Sequence, residues 1–160
     1  MKTPSLITAS LLAALVHGAA PAADTPEPAA AAPTAKAAPA PQPLAAARAH
    51  IQAAQWGAAI DELRRANSSG SADWNNLMGY VLRKQARPDL DGAQKHYDAA
   101  LKINPRHQGA LEYAGELALM KRDLATAEAH LATLSKLCST PCEALDDLKK
   151  AVADYKAANR

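Results

Sequence analysis

Apolar residues of matched size recur every 34 residues between Trp56 and Leu134. Trp56, Leu90 and Leu124 share one phase of that period, and Ala59, Ala93 and Ala127 share another. Leu63, Tyr97 and Leu131 form a third set; Ala66, Ala100 and Leu134 form a fourth. A unit of this length holds two helices and a turn. One such pair cannot bury its apolar face alone, so neighbouring units must supply each other's core. The chain is therefore expected to be all-α, a short α-solenoid of helix-turn-helix repeats.

The repeats occupy only part of the 160 residues, for which one domain is the prior. Residues 1–23 read as a signal peptide: Lys2 provides the basic n-region, Leu6 to Val16 the apolar h-region, and cleavage is expected near Ala22 or Ala23. The apolar run is interrupted by His17 and Gly18 before reaching membrane-spanning length, so stable membrane insertion is not expected. No cysteine lies near the cleavage region to carry a lipid. Between Pro21 and Pro43 lie seven of the eleven prolines, interspersed with alanine. Proline removes a backbone donor and disfavours helix in the residue before it, so residues 24–43 read as an extended linker. The reading is a secreted protein, most simply periplasmic. A net charge of +2, from 18 basic and 16 acidic side chains, gives no field suited to nucleic acid. The densest basic group, Arg83, Lys84 and Arg87, reads as a solvated helix end.

The folded part is expected over residues 44–158, in units of about 44–70, 71–105 and 106–137 with a capping helix at 141–158. The first unit is degenerate, with Ala47 where the later units carry glycine. The second places Leu77, Met78, Gly79, Val81 and Leu82 on its first helix, and Leu90, Ala93, Tyr97, Ala100, Leu101 and Ile103 on its second. Gly79 reads as the small residue that lets these helices approach, and Gly115 is its counterpart. Fourteen residues separate Gly79 from Ala93 but twelve separate Gly115 from Ala127, which places a two-residue insertion at Ala86–Pro88. In the last helix Thr140, Pro141 and Glu143 read as N-cap, N1 and N3. Leu145, Leu148 and Val152 form its apolar stripe, opposite Asp146, Asp147, Lys149 and Lys150.

These residues resemble the tetratricopeptide repeat family, whose pattern is W-x2-L-G-x2-Y followed by A, an aromatic, A and P. The second unit supplies Gly79, Ala93, Tyr97, Ala100 and Pro105; the third supplies Gly115, Ala127 and Leu131. Asn75, not Trp74, occupies the tryptophan slot. The likeness extends from about Leu44 to Leu137 and is closest to small exported bacterial proteins of this kind. It implies that the first helix of each unit lines a concave groove, with Asn76, Tyr80, Arg83, Glu112, Glu116 and Leu119 facing it. A mixed-sign lining suits a protein or extended peptide partner.

Cys138 and Cys142 are the only cysteines, and in an oxidising compartment an even pair reads as a disulfide. Redox and metal readings stay open. The spacing differs from Cys-x2-Cys, and no cluster of His or carboxylate residues completes a ligand set. His50, His96, His107 and His130 are scattered along separate helices. No phosphate loop, nucleophile elbow or His-Glu-x2-His pair is present, so neither catalysis nor a metal or cofactor is expected. The leading expectation is a non-catalytic interaction module of the bacterial cell envelope. The alternatives are a thiol-using maturation helper for a metalloprotein or cytochrome, and self-association through an open repeat face.

Overall fold

The computed structural model describes residues 44–139 and 141–159. The signal-peptide and linker readings lie outside them, as does Thr140. Among the described residues there are seven helices and no strand: α1 (Ala45–Gln52), α2 (Trp56–Ala66), α3 (Ala72–Lys84), α4 (Leu90–Ile103), α5 (Gln108–Met120), α6 (Leu124–Leu137) and α7 (Glu143–Ala158). Each helix packs on the next, and α3 also touches α5, as α5 touches α7. No described helix is long and apolar enough to cross a membrane.

The 34-residue period reappears as structure. Helices α2, α4 and α6 begin at Trp56, Leu90 and Leu124, and Ala59, Ala93 and Ala127 are all fully buried. The turns before them repeat too. Ala54 and Arg122, each two residues before a second helix, take left-handed backbone at φ 53° and 63°. Both turns close with the same bonds: Gln55 N to His50 O and Asp123 N to Ala118 O, each 2.8 Å. This is the Schellman arrangement, which satisfies the open carbonyls at a helix end.

Pro88 holds the same place in the middle unit, and its ring fixes φ near −65°. A left-handed turn is closed to it. The connection Gln85–Asp89 is two residues longer than Lys121–Asp123, and its closing bond runs from Asp89 N to Leu82 O at 3.0 Å. The insertion predicted at Ala86–Pro88 thus falls in this connection, and the proline supplies its reason.

Side-chain caps fix four of the helix starts, those of α3, α4, α5 and α6. Ser71, Asp89, His107 and Asp123 each accept a backbone N–H from the first turn of the helix that follows. His107 also holds its Nε2 2.8 Å from Asp73 Oδ1, tying α5 back to α3.

The core is three adjoining clusters. Ala47, Ile60, Leu63, Trp74 and Val81 join α1, α2 and α3. Tyr97, Ala114 and Leu117 join α4 to α5. Leu111, Leu134, Leu148 and Val152 join α5, α6 and α7. Trp74 adds a 2.6 Å hydrogen bond from Nε1 to the Leu63 carbonyl, fastening α3 to the end of α2. Gly79 acts as the sequence predicts: a Cβ there would stand 2.7 Å from the Tyr97 ring.

Four sequence readings are corrected. A Cβ on Gly115 would meet Leu148 of α7 at 2.7 Å, so this glycine admits the terminal helix instead of its own unit's second helix. Ala66 is exposed although its repeat partners Ala100 and Leu134 are fully buried, because α2 ends there. Ile103 is 46% exposed, one residue before the Asn104 C-cap. Helix α7 begins at Glu143 with Cys142 at its N-cap, so Pro141 lies outside the helix and no side chain caps it.

Candidate functional site

Helix α3 carries Asn76, Tyr80 and Arg83 along one stripe, and α5 carries Glu112, Glu116 and Leu119 along the matching stripe. Because α3 packs on α5, the two stripes meet. Arg83 Nη2 lies 2.6 Å from Glu116 Oε2, with the arginine side chain only 6% exposed. Its guanidinium stands 5.7 Å from the Tyr80 ring centroid and 5.5 Å from that of Tyr113, within cation–π range. Those two rings are 4.8 Å apart, and Trp56 of α2 meets Tyr80 edge-on at 6.2 Å. An arginine, a carboxylate and three aromatic rings thus share one face.

Burial shapes the electrostatics. Desolvation works against the Arg83 charge, and the Tyr97 hydroxyl and Glu116 more than restore it, leaving its pKa above the ordinary value. Burial raises Tyr80, lifts Tyr97 well above the usual phenol range and pushes Tyr113 up to about 12. The Glu112 carboxyl goes up to about 7, first through burial and then through repulsion from Glu116, Asp147 and Glu143. Arg83 Nε and the Tyr97 hydroxyl are buried without a hydrogen-bond partner.

Two open depressions flank the cluster. The first, about 200 Å³, is lined by Arg48, Ile51, Gln52, Leu77, Tyr80 and Tyr113. The second, about 400 Å³, is lined by Arg83, Glu116, Leu119, Met120, Ala151 and Tyr155. Each has more apolar than polar lining, and Met120 is half exposed. Such surfaces accept side chains of a partner, with polar groups between them for orientation.

Of the six residues predicted to face a groove, Tyr80, Arg83, Glu116 and Leu119 border these depressions. Asn76 borders neither. It is 7% exposed, its Oδ1 has no partner, and its Nδ2 sits 3.2 Å from where a Cβ on Gly109 would be. It packs between α3 and the start of α5. Glu112 is likewise buried, and makes no hydrogen bond or ion pair among those described. Sequence reasoning passed over Tyr113, Met120, Tyr155 and the α1 residues. Tyr113 and Met120 each stand one position beyond a residue expected to face the groove, and α7 reads as a mere cap.

Cys138 and Cys142 lie at disulfide distance, sulfurs 2.09 Å and Cα atoms 5.9 Å apart, and the described residues include no free cysteine. The pair joins the end of α6 to the start of α7 and is compatible with an oxidising compartment. Among the described residues no three His, Cys, Asp or Glu side chains are grouped to hold a metal ion. A comparison with protein-family models found no match, and a comparison with curated proteins found no relative.

Proposed function

We propose that the chain is a non-catalytic interaction module of the cell envelope, a short tetratricopeptide-like solenoid. It binds an extended protein or peptide segment along the face shared by α1, α3, α5 and α7. The observation that carries this reading is the pair of apolar depressions separated by the Tyr80–Arg83–Tyr113–Glu116 cluster. Two recesses fit two apolar side chains, and the charged and hydroxyl groups between them fit the backbone linking those side chains. Helix packing already orders the rings and the arginine, so binding freezes few side chains. The envelope location is supported by the leader-like sequence of residues 1–23 and by the cysteine pair.

The test is selection from a random peptide library displayed on phage. The bait is the full chain, set against Arg48→Ala/Tyr80→Ala/Met120→Ala/Tyr155→Ala, which trims both depressions without touching a fully buried residue. Sequences retained by the native chain and lost by a variant with unchanged helical circular dichroism are the expected result. Equal retention by both proteins, or no enrichment on either, refutes binding at this face.

A further inference from the structure

The first depression is lined by hydrogen-bond donors and by no carboxylate. Arg48 and Gln52 enter it from α1, Tyr80 from α3 and Tyr113 from α5, around an aliphatic lining of Ile51 and Leu77. The Arg48 side chain is 49% exposed, and the carboxylate it approaches, Asp73 Oδ2, stands 3.7 Å away. That is beyond hydrogen-bond length. The other Asp73 oxygen accepts from His107 Nε2 at 2.8 Å, so this acid is held towards α5 and leaves the Arg48 donors unused. The Tyr80 and Tyr113 hydroxyls likewise make no hydrogen bond among the described residues. Burial holds both phenols above their ordinary pKa, so each keeps the proton it would donate. A second free cation stands beside Tyr80: Lys84 is exposed, has no ion pair among the described residues, and holds its Nζ 5.7 Å from the ring centroid. The nearby Arg83 is engaged by Glu116, and Glu112 is buried and does not border the depression.

We propose that this depression recognises a glutamate or aspartate side chain within the partner segment, with Arg48 as its anchor and a neighbouring aliphatic side chain seated against Ile51, Leu77 and the tyrosine rings. The inference rests on the interaction-module reading and specifies its ligand. A guanidinium presents a planar fork of N–H groups that pairs best with a carboxylate, and at Arg48 that fork is open to solvent on an apolar recess. Lys84 adds attraction for the same sign of charge without needing contact. The recess of about 200 Å³ has room for one side chain the size of Leu or Met. The acid lies within the segment, not at its end. A chain terminus needs several converging donors, but Asn76 is buried against α5 and Arg83 is held by Glu116. From Arg48 to Gln52 the helix rises roughly 6 Å at 1.5 Å per residue, close to the roughly 7 Å between alternate side chains of an extended ligand. The recognised pattern is therefore an acidic residue two positions from Leu, Ile or Met.

The test uses the same displayed library on the full chain, followed by fluorescence anisotropy with one enriched peptide carrying glutamate and its twin carrying glutamine. Enrichment of the acidic-x-aliphatic pattern is expected, with the glutamine twin binding about tenfold more weakly. Arg48→Gln, at an exposed position and with unchanged helical circular dichroism, should bind the two twins equally. Amidating the peptide C-terminus should leave its affinity unchanged. Four results overturn this inference and leave the module reading standing: groove-dependent peptides without an acid, equal binding of the twins by the native chain, discrimination that survives Arg48→Gln, or binding lost on amidation. No groove-dependent peptide at all overturns both.

Discussion

Replacing Glu112 by glutamine tests the electrostatics of the α5–α7 contact directly. The carboxyl has an ordinary pKa of 4.5 and rises to about 7 in the folded chain, because burial and the facing Glu116, Asp147 and Glu143 oppose its charge. Between those values the unfolded chain has lost the proton while the folded chain keeps it. The folded state then binds more protons, so stability falls as pH rises. Stability from this group is fully present below about pH 4.5 and is lost as pH climbs through about 7. A change from 4.5 to about 7 corresponds to about 3 kcal/mol at 1.36 kcal/mol per pH unit. Residual solvent contact screens the group and lowers the expected change to about 1–2 kcal/mol. Glutamine keeps the shape and cannot ionise, so its variant should lack this part of the slope. The assay is urea unfolding followed by circular dichroism at half-unit steps from pH 4.5 to 8. The variant is expected to match the native chain near pH 4.5 and exceed it by about 1–2 kcal/mol near pH 8. Parallel curves across that range would refute the account of Glu112 as a buried carboxyl without a counter-ion.

Three further outcomes follow from packing and turns. Ala54→Gly and Arg122→Gly should each stabilise the fold by about 1 kcal/mol in chemical denaturation, since both positions hold left-handed backbone; a loss of stability in both would refute the turn assignment. Gly79→Ala should cost about 1–3 kcal/mol, because its Cβ would strike the buried Tyr97 ring and stand 3.1 Å from the Ala93 carbonyl. Gly115→Ala, opposed only by the flexible end of Leu148, should cost less by thermal melting, and the reverse order would contradict the packing described. Trp74→Phe deletes the bond to the Leu63 carbonyl and should lower stability by about 1–3 kcal/mol in urea unfolding; an unchanged midpoint would show that bond to be idle.

Much of this arrangement was legible in the chain. The period located the starts of α2, α4 and α6, and the matched alanines Ala59, Ala93 and Ala127 marked positions where helices touch. Both signals are local: helix phase and side-chain size suffice to read them. The candidate site was legible only in part. Tyr80, Arg83, Glu116 and Leu119 stood out by their place in the repeat and do border the depressions. Asn76 occupied an equivalent place yet is buried against α5, and Tyr113 and Tyr155 belonged to no expected stripe.

The chain by itself determined how many helix pairs there are, where each begins and which small residues lie at contacts, since these follow from periodicity and backbone preference. Pro88 even dictates the longer middle turn, because its ring forbids the left-handed backbone that Ala54 and Arg122 adopt. Only the tertiary structure decided what those contacts face. Gly115 meets Leu148 of α7, and the Glu112 proton is held first by burial and by Glu116, with Asp147 and Glu143, far along the chain, adding to them. Burial and charge at a position depend on whatever other segment arrives beside it. A repeat pattern specifies that a neighbour comes, and packing alone specifies which side chain it brings.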